Sequence, residues 1–335
     1  MKHVATAGLL AASLALPMQV QAQDGANYIL ATASTGGTYY PVGVALATLT
    51  KVRLEPSTGI GMSAVSSAGS GENVRLLREG EAQFGILQGL FGYYAATGTG
   101  PIEGDGPQEH LRSVSLLWPN VEHWVLADEH VESGTFSDFL TITGEAAALG
   151  RANSGTIGSN AAILSGFDVD LYEDFQLVEG GYGPSAEALQ NAQVAGISTP
   201  AGDPVGAISQ LMATAGDSVT ILDFTDEELA QADGGRDLWF RYVIPAGTYP
   251  GQDEDINTIA QPNFLATHAD IPEEHVYQIT KTVYENLPFL QAIHPATNSM
   301  SLEVAINGLP VPLHPGAARF YEEQGIEIPD RLIAN

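Results

Sequence analysis

Residues 28–54 read YILATASTGGTYYPVGVALATLTKVRL, and this stretch decides the fold class. Tyr28–Ser34 is a short apolar run and is predicted to be a strand. Tyr40–Leu54 repeats Val42, Leu46 and Leu49 on one face and is predicted to be a helix. A glycine-rich elbow joins the two, so the stretch is one βα unit. The same alternation continues, with strands expected at Ile60–Ser66 and Phe84–Leu87 and helices at Ser70–Arg78 and Leu90–Ala96. Two adjoining runs follow, Leu111–Leu117 and Glu122–Ala127, with Trp118-Pro119-Asn120 between them. The pattern then restarts with strands at Ala146–Ala152, Phe175–Glu179, Val194–Ser198 and Val219–Phe224. The helices between them are Ser154–Leu164, Pro184–Gln193 and Pro204–Ala215. Such alternation predicts an α/β fold with mainly parallel sheets flanked by helices. A mixed segment through Pro245 and Pro250 leads to the run Thr258–Thr267, and Pro272–Ile293, Leu302–Asn307 and Gly316–Glu323 read as helical. These last helices have no new strands to cover, so they are expected to pack back on the first block. The organisation that follows is two lobes, one of residues 23–120 with 226–335 and the other of residues 121–225, with a ligand cleft between them.

Residues 1–22 stand apart. Met1-Lys2-His3 is a basic start, Val4–Pro17 is largely apolar, and Val20-Gln21-Ala22 is a small-x-small cleavage signal. This predicts a secretory leader cleaved near Ala22, too short to span a membrane. Direct membrane insertion of the remaining chain is not expected. There is no cysteine, so neither a disulfide framework nor thiol chemistry is available. Twelve basic against 40 acidic residues give a net charge of −28. A surface of that sign repels nucleic acid and anionic lipid, and it suits solubility at high salt.

Four turns at strand ends are rich in glycine and hydroxyls: Ser34–Tyr40, Ser67–Asn73, Asn153–Thr156 and Ser198–Ala201. Each precedes a helix, where unpaired N–H groups and the positive end of the dipole favour an anion. Taken singly, each is most often only a helix cap; four at equivalent places predict a pocket for a small anion held by neutral donors. Nucleotide and nucleophile readings fit less well. Thr35-Gly36-Gly37-Thr38 lacks the phosphate-loop lysine, and Gly69-Ser70-Gly71 lacks the frame of a nucleophile elbow. The histidines are scattered without metal-ligand spacing, so neither a metal nor a cofactor is expected. Tyr39, Tyr40, Trp118, Tyr182 and Tyr249 either line the cleft or pack between lobes. Arg151 is either a bidentate carboxylate clamp or a surface arginine among acids.

Several ordered segments resemble the TAXI family, the solute-binding proteins of one class of TRAP transporters. They are Thr35-Gly36-Gly37-Thr38-Tyr39-Tyr40-Pro41-Val42-Gly43, Gly69–Arg78, Glu81-Ala82-Gln83-Phe84, Ser154-Gly155-Thr156, Ile244–Gly251 and Leu309–Ala317. The resemblance implies a class II-like periplasmic binding protein, not an enzyme, acting as a monomer. Its two lobes would close on a small carboxylate, glutamate-like or 2-oxoglutarate-like, and hand it to TRAP permease subunits. A sensory protein feeding a signalling receptor is one alternative, and an exported enzyme on the same scaffold is another. Carried over by residue, the implied site comprises Gly37, Thr38, Tyr39, Ser67, Ser70, Asn73, Gln88, Ser154, Gly155, Thr156, Ser198, Thr199 and Tyr249. To these the expected site adds Trp118, Arg151 and Asn153. The chain departs from the family at Gly150-Arg151-Ala152-Asn153, where Ala-Pro-Gly usually follows the glycine. It departs again at Trp118 and Asn120, where a tyrosine and an acid are common.

Overall fold

The computed structural model describes Met1 and residues 25–334. The expected leader, apart from Met1, lies outside the described residues. In chain order the first part comprises β1 (Ala26–Ala31), α1 (Tyr39–Thr58), β2 (Ile60–Val65), α2 (Ser70–Arg78), β3 (Phe84–Gln88), α3 (Gly89–Thr97) and β4 (Leu111–Val121). The middle contains β5 (Trp124–Ala127), α4 (Phe136–Leu140), β6 (Ala146–Ala148), α5 (Gly155–Ser165), β7 (Gln176–Leu177), α6 (Tyr182–Gln190), β8 (Gly196–Ser198), α7 (Gly206–Ala215) and β9 (Val219–Ile221). The last part is α8 (Asp226–Asp233), β10 (Phe240–Ile244), β11 (Ile256–His268), α9 (Glu273–Glu285), α10 (Leu287–Ile293) and α11 (Pro315–Glu323).

These strands form two sheets flanked by helices. One has the order β10-β11-β3-β1-β2, with β4 also pairing β11; the other has the order β7-β6-β8-β5-β9. Both are mixed rather than mainly parallel. The βα repeats give the parallel ladders β1–β2, β1–β3, β6–β7 and β6–β8, whereas β11 runs antiparallel to β3, β4 and β10, and β5 antiparallel to β8 and β9. The two longest strands, β4 and β11, are both antiparallel members, and β4 leads directly into β5 of the other sheet. β4 runs straight through Trp118-Pro119-Asn120, because Pro119 faces Pro262 at a register shift, where neither needs to donate to the ladder.

Packing explains the local choices. α1 lies so close on β1 that a Cβ at Gly43 would come within 2.3 Å of Thr32 Cγ2. It ends at Gly59, whose φ of 73° is left-handed and whose N–H closes on Glu55 O. α9 and α11 share one core with β1 and α1, through Val276, Val283, Tyr284, Phe320 and Tyr321 against Tyr28 and Leu46. The other sheet is packed on its outer face by Trp124, which meets Phe136 and Phe139 edge-on at 4.8 and 4.7 Å. Two expected elements differ. Leu302–Asn307 forms turns rather than a helix, and the helix expected over Pro272–Ile293 is broken at Asn286, ahead of Pro288. β6 stops at Ala148 because Gly150 (φ 110°) and Asn153 (φ 61°) turn the chain back toward the cleft.

Candidate functional site

The strand ends and helix starts of the two sheets face each other across a cavity of about 370 Å³, part of it open to solvent. One side is made by Ala33, Ser34, Gly37, Thr38 and Tyr39 before and in α1, and by Ala68, Gly69 and Ser70 before and in α2. Gln88 ends β3 and Asn120 lies near the end of β4. Gly155 and Thr156 at the start of α5, Tyr182 at the start of α6, and Pro200 with Ala201 after β8 complete the wall. Four helices therefore open on the cavity, and the first N–H groups of a helix have no partner within it. None of these lining residues is charged.

The lobes are in close contact around the cavity. Thr38 Oγ1 donates to Gly202 O at 2.6 Å, and Glu72 N to Asn153 O at 2.9 Å. A Cβ at Gly155 would stand 2.6 Å from Gln88 Oε1 and 2.8 Å from Ser70 Oγ. Gly69, at φ 121°, places its own Cβ position 3.3 Å from Gly155 N. Glycine at 69 and 155 is what permits α2 and α5 to meet end to end.

The residues expected from the sequence separate into three groups. Gly37, Thr38, Tyr39, Ser70, Gln88, Gly155 and Thr156 line the cavity. A second group stands behind it and shapes its loops. Ser67 Oγ and the Asn73 amide both bond Thr32 O, and Asn73 also donates to Ile86 O, which ties the ends of β1 and β3 together. Ser154 caps α5 by accepting from Ile157 N at 3.0 Å, and Ser198 donates to Asn160 at 2.9 Å. Thr199 N donates to His123 O at 3.0 Å. Trp118 is buried edge-on against Tyr39 at 6.1 Å, beneath Gly202. Tyr249 is a strut: Val205 N donates to its hydroxyl at 3.0 Å, and the hydroxyl meets His123 Nε2 at 2.7 Å. The third group is at the rim. Arg151 donates to Ser67 O, and Asn153 supplies the carbonyl that receives Glu72 N.

The sequence marks Tyr182 only as one of the aromatics that line the cleft or pack between lobes. Its hydroxyl reaches Pro200 O at 2.6 Å and Thr156 Oγ1 at 2.9 Å, and its ring would meet a Cβ at Gly37 at 3.0 Å. Gly180-Gly181 before a helix was the available signal, the same one the other turns carry. Asn120, inside a strand, stands out in the sequence only as a departure from the family pattern and not as a wall residue. Behind the wall lies a buried polar layer. Tyr39 donates to Asn263 Oδ1, and Asn263 Nδ2 lies 3.5 Å from Asn120 Oδ1. Glu122, on the segment joining β4 to β5, is wholly buried, with Trp239 Nε1 at 3.3 Å from one oxygen and no partner for the other. Burial pushes its carboxyl up to about 8, so it is neutral at pH 7. Burial also raises the Tyr39 and Tyr182 hydroxyls, which therefore stay protonated donors. The arrangement can hold an anion by dipoles and neutral donors in a site largely shielded from water. Among the described residues no cluster of His, Cys, Asp or Glu could hold a metal ion.

Comparison with known proteins agrees with this architecture. MatC from Rhodopseudomonas palustris, solved with bound malate, superposes with a TM-score of 0.56 at 14% identity, over 89% of this chain and 96% of that one. The periplasmic binding protein BugD superposes with a TM-score of 0.51 at 12% identity, over 89% and 92%. The chain thus has the two-lobed fold of the periplasmic binding proteins. Residues 30–325 match the NMT1-like family, and the chain belongs to that family.

Proposed function

We propose that this protein is the periplasmic ligand-capturing subunit of a TAXI-type TRAP transporter, and that it binds a small carboxylate by lobe closure. The observation that carries the reading is the convergence of four helix starts on a cavity with no charged side chain in its wall. Dipoles and N–H groups attract one anionic group there without a salt bridge, and a shielded cleft strengthens each of those bonds. The cavity is small, which suits an acid of a few carbons. MatC, of the same fold, was solved with malate. The TAXI assignment rests on the ordered motifs from Thr35 to Ala317, which also point to a small carboxylate as the ligand and to a permease as the recipient. The leader expected over residues 1–22 supports export.

A thermal-shift screen of carboxylates, amino acids and neutral sugars, followed by calorimetry, tests the binding step. Stabilisation by a carboxylate is expected; stabilisation by a neutral sugar and by no carboxylate would refute it. Loss of carboxylate uptake on deletion of the gene, restored by the intact gene, tests the transport step.

A further inference from the structure

The amides behind the anion-binding turns carry information about the other end of the ligand. Gln88 on β3 sits directly opposite Asn263 on β11, and Asn120 on β4 meets Asn263 from the other side. The Tyr39 hydroxyl occupies Asn263 Oδ1, so Asn263 turns its Nδ2 toward Asn120 Oδ1. That order leaves Asn120 Nδ2 without a partner, and Gln88 Oε1 has none either. Both residues line the cavity, at 0% and 3% exposure. One unpaired donor and one unpaired acceptor, both buried, are a demand that a ligand can meet, because unsatisfied buried polar atoms are costly.

What would meet it is set by charge. A second carboxylate pressed against this row would find no cation. Arg151, at the rim, is committed to Ser67 O. An ammonium would find no anion, since Glu122 lies behind the row, lines no part of the cavity and is held neutral by burial. Burying an unpaired charge against neutral amides is strongly unfavourable, whereas a hydroxyl or carboxamide both donates and accepts. We propose that the Gln88–Asn263–Asn120 row selects a neutral second group, so that the ligand is a small monocarboxylate carrying a hydroxyl or carboxamide rather than a dicarboxylate or an amino acid. The inference rests on the carboxylate reading of the same cavity.

The test is calorimetry on the mature protein with acids of roughly three to six carbons, each ending in hydroxyl, carboxamide, carboxylate or ammonium. At the best-bound length, the hydroxyl or carboxamide acid should bind at least about tenfold tighter than its charged counterparts. Asn120→Asp should shift the preference toward the ammonium acid. If that variant does not fold, Asn120→Ser should narrow the gap between the hydroxyl or carboxamide acid and the unsubstituted monocarboxylate. Tightest binding of the dicarboxylate or the amino acid overturns the inference while leaving the carboxylate reading intact. Binding of none of these acids overturns both.

Discussion

Glu122 and His123 are neighbours on the segment between the two sheets, both wholly buried, and burial moves them in opposite directions. The Glu122 carboxyl is pushed up to about 8 and the His123 ring down to about 4, so both are neutral at pH 7. The His123 hydrogen bonds fit that state. Val121 O can only accept from Nδ1, which leaves Nε2 to accept from the Tyr249 hydroxyl. For Glu122 the linkage runs as follows. Between the ordinary carboxyl value and about 8 the folded protein holds a proton that the unfolded chain has lost. Its contribution to stability is therefore full at low pH and falls as pH rises through that window. The upper bound is about 5 kcal/mol, reduced in practice by relaxation around the ionised group. His123 has the opposite slope, losing stability as pH falls from its ordinary value toward about 4. Urea unfolding of Glu122→Gln beside the parent at about pH 5, 7 and 9 separates them. The Gln variant should gain relative stability with pH, by 1 kcal/mol or more, roughly, across that range. A difference that does not change with pH would mean that Glu122 is not held neutral. The sequence shows Glu122 only as an acid within an apolar run; its burial arises from Trp239 and Gln261, which are over a hundred residues away and invisible to any local pattern.

At the scale of elements, the start of α5 is where the lobes meet most tightly. Alanine at 155 suits the first turn of a helix and removes backbone freedom in the unfolded chain, so the helix itself should tolerate it. Its methyl would nevertheless sit 2.6 Å from Gln88 Oε1 and 2.8 Å from Ser70 Oγ, on the opposite lobe. Gly155→Ala should therefore weaken ligand binding by about tenfold or more, as closure is disfavoured, while the melting temperature without ligand stays near that of the parent. Calorimetry paired with a thermal melt checks both halves; unchanged affinity would show that the lobes need not approach this closely. How the elements were legible follows the same division. α1 was readable because Val42, Leu46 and Leu49 repeat at helical spacing, and the βα units were readable because each unit packs against its own neighbour. The antiparallel ladders of β11 were not, because pairing with β3 and β4 is decided by residues more than a hundred positions away. The glycine-rich turns announced the anion end of the cavity. Of the amide row, Gln88 was expected at the site and Asn120 stood out as a departure from the family pattern, but their alignment with Asn263, built from single residues on three strands, gave no local signal.

At the scale of the whole molecule, charge opposes capture. With 40 acidic against 12 basic residues, an approaching anion meets a repulsive field before it reaches the helix starts. Four bonds that span the lobes near the cavity, Thr38 to Gly202, Glu72 to Asn153, Ala207 to Gly36 and Arg151 to Ser67, all end on backbone carbonyls, so none of them is an ion pair that salt would loosen. Raising ionic strength from about 0.05 to 0.5 M shortens the screening length from about 14 to 4 Å, which removes most of the long-range repulsion and little of the short-range dipole attraction in the cleft. The association rate constant for a carboxylate, read by stopped-flow fluorescence, should therefore rise by about two- to threefold over that range. A cationic clamp predicts the reverse. If Arg151 held the ligand, screening would slow association, and Arg151→Ala would abolish the salt dependence. With the ligand held by neutral donors, Arg151→Ala should leave the upward slope in place, because the slope belongs to the net charge and to no single residue.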